Sequence, residues 1–299
     1  MKPNSIVPTI EHEKTSLFLS LLKEMRPKQW TKNLLVFASA IFAGTFLDPA
    51  IFINTLIAFI AFSLMASSIY VINDIQDVEK DRQHPDKCQR PIASGAITIT
   101  QASVLGAIVF LTSITLAAFV NYQLIIILLI YFFANLLYSF RLKHVVIIDV
   151  MFIALGFVLR AIAGAVAVNG ELTSWFLLCT MSLSIFLALG KRRHELELFK
   201  DTPTNRRKVL EHYSSKLLDQ LMAIATSLVI MFYSLYAATE DQRMMYTVPF
   251  VIYGIFRYYY LIYIKNSGGK PEELLISDWH ILITVVLFGA SVIFIKQFV

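Results

Sequence analysis

The residues best placed to do chemistry lie in one polar stretch, Asn73 to Pro91, which follows directly on a long apolar run, 51–72. If the helix expected of that run continues past Ile72, Asn73, Asp77 and Asp81 fall at i, i+4 and i+8 and share a face, with Asp74 beside it. Several oxygen donors then converge at the end of an apolar helix. Hard cations such as Mg2+ take carboxylate and carbonyl oxygens and commonly share their sites with phosphates. Lys87 and Arg90 follow at once. Carboxylates to hold a metal, with cations beside them, are what a diphosphate substrate needs. The plainer alternative is a solvated loop. The helical spacing of the acids, and their position against the apolar run, argue for the site.

A second stretch, Gly190 to Glu197, carries Lys191, Arg192, Arg193 and Glu195. Lys191 with Arg192 or Arg193 can grip phosphate, an arginine bidentately; Glu195 could hold metal or a sugar hydroxyl. Adjacent basic residues at a helix end also serve as ordinary topology signals. His194 reads as a bystander, and Tyr213 as a weaker candidate for the same cap. In a third stretch, Tyr138 and Lys143 stand at a helix end, where an interfacial aromatic and a snorkelling lysine are the competing explanation. Asp149 lies just inside the next apolar run, and Arg160 and Arg257 lie deeper in theirs. Ionisable groups at such depth face a polar cavity or a partner. The structural alternative for the arginines is an interhelical ion pair with an acid such as Asp149. Gly156 and Gly164 flank Arg160 and suggest close helix packing.

The elements that must position these groups are apolar helices. The chain has 299 residues, 57% of them hydrophobic and only 16% charged, where soluble proteins carry about 25% charged residues. This is an all-α, polytopic membrane protein with no room for a large soluble domain. Nine spans are expected, near 33–47, 51–72, 102–120, 123–140, 145–168, 173–189, 217–239, 248–264 and 279–298. The first is short for the roughly 20 residues of a spanning helix, so its start is placed near Pro27. Trp30 reads as an interfacial anchor. The loops after the second, fourth, sixth and eighth spans hold nearly all the Lys and Arg between spans; the others hold only Arg243. By the positive-inside rule the N-terminus and those basic loops are cytoplasmic, and so is the acidic stretch. In this setting the net charge of +5 reports topology rather than nucleic-acid binding. Residues 1–33 do not read as a secretory signal, because acids precede the first apolar run. Two cysteines, Cys88 and Cys179, give neither a disulfide framework nor metal-ligand spacing.

With these residues in hand, the chain resembles the UbiA-type intramembrane prenyltransferase superfamily. The signature Asn-Asp-x-x-Asp-x-x-x-Asp is met by Asn73, Asp74, Asp77 and Asp81, and the helix count, the Tyr138 to Lys143 segment and the Gly-rich Arg160 segment fit. Aromatic prenyltransferases of that superfamily carry a second Asp-rich motif after the sixth helix; here that position reads Lys191-Arg192-Arg193-His194-Glu195-Leu196. That departure, with Met25 to Asn33 and Arg90 to Gly95, is similar to the branch of decaprenyl-phosphate phosphoribosyltransferases. The resemblance implies a single domain over 1–299 with a polar cytoplasmic segment 1–26, and nine helices around a central cavity in the inner (cytoplasmic) membrane. It implies transfer of phosphoribose from 5-phosphoribosyl 1-diphosphate to a polyprenyl phosphate, giving a lipid-linked ribose 5-phosphate for cell-envelope sugar donors. In this reading Asn73, Asp77 and Asp81, with Asp74, hold Mg2+ and form the catalytic set. Lys87 and Arg90 neutralise the diphosphate. Lys28, Lys143, Lys191 or Arg192 bind the remaining phosphates, and Tyr138, Asp149, Arg160 and Glu195 complete the substrate site. The alternative is transfer of a prenyl group from polyprenyl diphosphate to an aromatic or quinone acceptor. Lipid chain length and oligomeric state are not encoded in any feature of the sequence.

Overall fold

The computed structural model describes residues 16–170, 172–198, 208–265, 267, 269, 273, 274 and 277–298. These are helical throughout, with no strand among them. An amphipathic helix α1 (Leu17–Glu24) leads into a 3-10 segment, Pro27–Phe37, and a short α2 (Ala38–Phe42). Then come α3 (Pro49–Gln76), α4 (Val78–Arg82), α5 (Ile99–Val120), α6 (Tyr122–Phe140), α7 (Ile148–Ala167), α8 (Ser174–Leu198), α9 (Ser215–Glu240), α10 (Val248–Tyr263) and α11 (Trp279–Phe298).

Local chemistry sets the ends. Pro49 opens α3 because the first helical N–H needs no partner, and Asp48 caps it, accepting from Ala50 N at 2.8 Å. Thr98 and Gln101 close a reciprocal capping box at α5. Asn121 ends α5 and starts α6, accepting from Leu124 N at 2.8 Å while its amide donates to Val166 O at 2.9 Å.

Seven helices among the described residues are long and apolar enough to cross a membrane: α3, α5, α6, α7, α8, α9 and α11. The chain is therefore an integral membrane protein. The other two segments expected to cross take different forms. The first is the 3-10 segment followed by α2, and it does begin at Pro27. The other is α10, 16 residues long and preceded by a 3-10 turn, Gln242–Thr247.

Two packed halves share α7. Phe62, Met65, Leu124, Leu128 and Leu159 form a core among α3, α6 and α7. Phe186, Leu218, Met222, Tyr258 and Ile262 form another among α8, α9 and α10. Gly164 lets α7 close on the 3-10 segment: a Cβ there would overlap the Val36 carbonyl oxygen. Consecutive long helices alternate in direction, so one end of the bundle gathers the C-termini of α3, α6 and α8 with the N-termini of α5, α7 and α9. Every charged stretch singled out above maps to that end.

Candidate active site

The acidic stretch does not continue α3 unbroken. The helix closes at Asp77 (φ −95°, ψ 8°) and restarts as α4. The break is local, because Asp77 N still donates to Asn73 O at 2.9 Å and Asp81 N to Asp77 O at 2.8 Å. Asp74 and Asp81 are buried at 3% exposure each, while Asn73 and Asp77 are half-buried. Arg90 reaches over the break, its Nη1 2.9 Å from Asp74 Oδ1 and also against Asp81 Oδ2. Lys87 Nζ stands 3.9 Å from Asp81. Asp77 faces Lys80 at 3.4 Å. Among the described residues no three carboxylate, imidazole or thiol groups gather into a metal cluster. The donors are nevertheless hard oxygens, and two of the carboxylates already close on a single cationic group, so the set suits a divalent ion.

Two participants were not assigned a role from the sequence. Arg26 grips both oxygens of Asp74. It reaches them because it takes the left-handed conformation (φ 54°, ψ 58°) between α1 and the 3-10 segment. A non-glycine residue there costs about 1–3 kcal/mol, offset by the part-buried ion pair with Asp74. The segment is held to α3 by Ser67, which donates to Met25 O at 2.8 Å and accepts from Trp30 Nε1 at 3.1 Å. The second is Glu24, buried at 1% exposure close to Asp74. Burial, and then the Asp74 charge, push its carboxyl up to about 8. One signal in the sequence could have found it: Ser20 and Glu24 stand four apart on the polar stripe that α1 buries, whereas Leu17, Phe18, Leu19 and Leu22 are exposed.

The second cluster ties α7 to α8. Asp149 is fully buried and Arg192 is 1% exposed. Arg192 Nε donates to Asp149 at 2.8 Å and its Nη1 to Glu195 at 2.8 Å. Tyr213 donates to the other Asp149 oxygen at 2.8 Å and accepts from Ile147 N at 2.8 Å. Ile147 sits at φ 68° just ahead of α7, so Tyr213 satisfies a helix terminus that has no side-chain cap. Arg193 is drawn away, to Asp219 and Glu197 at 3.2 Å each. Lys191 is half-buried on the same turn.

Arg160 is separate from both clusters. The alternative of an ion pair with Asp149 does not form: both residues lie on α7, about 16 Å apart along its axis, and Asp149 is held by Arg192. Arg160 instead donates to Asn33 Oδ1 at 2.7 Å, Gly156 O at 2.6 Å and Tyr131 OH at 3.0 Å. It packs on the rings of Phe62, Tyr131 and Phe157, each about 5 Å away. Arg257 pairs with Asp278 at 2.8 Å. Tyr138 lies half-buried beside Phe152 and lines a cavity of about 50 Å³ between α6 and α7, with Asn135 and Gly156. Lys28 is exposed at the start of the 3-10 segment, and Lys143 is half-buried in the Leu142–His144 turn.

The UbiA prenyltransferase family model matches residues 34–282, most of the chain, from within the 3-10 segment to the first turn of α11. The chain belongs to that family. This UbiA family member is 36% identical over 279 residues to decaprenyl-phosphate phosphoribosyltransferase of Mycolicibacterium smegmatis, covering 88% of each chain. It is 37% identical over 270 residues to the protein of the same name from Corynebacterium glutamicum, covering 86% of this chain and 81% of that one. In fold it is similar to a UbiA homologue from Archaeoglobus fulgidus solved with GPP and Mg2+. That likeness has a TM-score of 0.73 and 19% identity over 94% of this chain and all of the other.

Proposed function

We propose that this protein transfers phosphoribose from 5-phosphoribosyl 1-diphosphate to a polyprenyl phosphate, with release of diphosphate. The observation that carries the reading is the gathering of three cations at the acidic motif: Arg26, Arg90 and Lys87 stand against the buried Asp74 and Asp81. A prenyl donor brings one diphosphate, and an aromatic acceptor adds little charge. Phosphoribosyl diphosphate adds a 5-phosphate, and the acceptor lipid a further phosphate, so that more cations are needed. The activity for which the two bacterial relatives are named supports the same choice.

Asn73, Asp77 and Asp81, with Asp74, would hold Mg2+, which would supply charge neutralisation for the departing diphosphate. Lys87 and Arg90 act on that same leaving group. Lys28, Lys143 and Lys191 would contact the 5-phosphate and the lipid phosphate. An oxygen of the lipid phosphate forms the new bond to the anomeric carbon. The bond from that carbon to the diphosphate breaks, and its electron pair leaves with the diphosphate. Charge at the sugar is oxocarbenium-like, as at other glycosyl centres. The nucleophile is already anionic, so no general base is needed, and the protein contributes position and fixed charge. Arg192, locked to Asp149 and Glu195, braces α8 against α7 and so fixes the turn that carries Lys191.

Nine crossings remain the topology of this proposal. A 3-10 helix rises about 2.0 Å per residue against 1.5 Å in an α-helix. Residues 27–42 can therefore extend about 30 Å, the thickness of the hydrocarbon core. The basic loops support an active end at the cytoplasmic face of the inner membrane, where phosphorylated metabolites are.

The test is donor choice. Purified protein with Mg2+ should release diphosphate from phosphoribosyl diphosphate only when a polyprenyl phosphate is present. Turnover only with polyprenyl diphosphate and 4-hydroxybenzoate would instead make it a prenyltransferase.

A further inference from the structure

Helix α1 delivers a carboxyl group that the transfer chemistry above does not use. Glu24 is 1% exposed, and neither of its oxygens has a hydrogen-bond partner among the described residues. A buried polar atom left this way is uncommon and calls for an explanation. Its nearest like charge is Asp74, and the cations in reach do not serve Glu24. Arg26 is bound to both Asp74 oxygens, and Arg90 spans Asp74 and Asp81. Glu24 and Asp74 together present neighbouring buried carboxyl oxygens to one ligand. A divalent cation can take several of them at once, and its preferred donors are oxygens of this kind.

We propose that Glu24 is a further ligand for the divalent cation that accompanies the donor diphosphate, on the Asp74 side of the motif, and that Arg26 and Arg90 give up Asp74 to the phosphates as the donor binds. The proposal rests on the diphosphate-donor reading above. In the structure the two guanidinium groups hold Asp74 and Asp81. A metal–diphosphate brings both signs of charge together. Exchange of partners then leaves each carboxylate on a cation and each guanidinium on phosphate oxygens, which it can meet bidentately. No buried charge is unpaired before or after. The short α1 makes the exchange local: Glu24 ends that helix, and Arg26 turns on the left-handed residue two positions on.

The experiment uses full-length protein in detergent, with Mn2+ as the probe cation and inorganic diphosphate, read by electron paramagnetic resonance and calorimetry. Glu24→Gln should weaken Mn2+ binding in the presence of diphosphate at least tenfold, without lowering the melting temperature, because the amide has the same shape and can donate to Asp74. Mn2+ affinity equal to the unsubstituted protein would overturn the proposal. Should Glu24→Gln not fold, Glu24→Asp keeps the charge but withdraws it by one methylene. A loss of Mn2+ affinity there supports the assignment, and an unchanged affinity removes it. The parent reading fails separately. If the unsubstituted protein makes lipid product while Glu24→Gln binds Mn2+ normally, only the role of Glu24 falls. If the unsubstituted protein makes no phosphoribosyl lipid, the donor assignment falls whatever Mn2+ does.

Discussion

Asp149→Ala should cost this protein about 3–5 kcal/mol of stability, the usual penalty for stranding one member of a buried ion pair. The figure follows from the geometry. Asp149 is fully buried and Arg192 nearly so. Arg192 would keep its Glu195 contact but lose the Asp149 oxygen at 2.8 Å, and Tyr213 would lose its acceptor at 2.8 Å. The guanidinium then has no route to water. Replacing both residues, Asp149→Leu with Arg192→Leu, removes the stranded charge and should recover most of the loss, because apolar substitutes for a buried pair are often neutral. The double variant should nonetheless be inactive, since the polar tie that fixes α8 and its Lys191 turn against α7 is gone. The assay is denaturant unfolding in detergent micelles followed by tryptophan fluorescence, run as a double-mutant cycle. Additive single losses, or an Asp149→Ala cost below about 1 kcal/mol, would refute the buried-pair account.

Other expectations follow from particular contacts. Gly164→Ala places a methyl into the Val36 carbonyl and should lower stability by about 3 kcal/mol, seen as a fall in melting temperature. Arg90→Ala leaves Asp74 and Asp81 without their shared cation. It should cut kcat/KM for the diphosphate donor more than a hundredfold, and Arg90→Lys should restore only part of that, lacking the planar fork. Glu24 supplies a pH test in the absence of metal. Its carboxyl holds a proton to about 8 when folded and to 4.5 when free. The stability from that extra proton affinity is therefore full below pH 4.5 and is lost as pH rises through 8. Melting temperature in EDTA should decline across that window, and Glu24→Gln should flatten the decline.

The apolar runs and the alternating basic loops were legible because bilayer and water impose opposite compositions on neighbouring segments. The Asp-rich stretch was legible for a similar reason, since acids at helical spacing beside a span are costly unless used. What escaped depends on backbone detail. Asp77 breaks α3 for a single residue, which no composition signals, and Arg26 enters the site only through a left-handed turn. The first apolar segment is 3-10 for most of its length, so an α-helical reading made it look too short. Asp149 and Arg160 were rightly singled out as buried charges, but pairing across helices depends on which faces meet. Arg192 reaches Asp149 from α8, and Arg160 is held instead by the neutral Asn33, Tyr131 and Gly156.

The central claim is that a phosphoribosyl group ends on a polyprenyl phosphate. The direct measurement is incubation of the purified protein with Mg2+, polyprenyl phosphate and phosphoribosyl diphosphate labelled in the ribose, followed by mass spectrometry of the lipid phase. The account predicts a labelled lipid whose mass equals polyprenyl phosphate plus ribose 5-phosphate less water. EDTA or Asp81→Asn should abolish it while the substituted protein stays monodisperse. Label confined to the aqueous phase, with a prenylated aromatic acid formed from polyprenyl diphosphate in a parallel incubation, would contradict it.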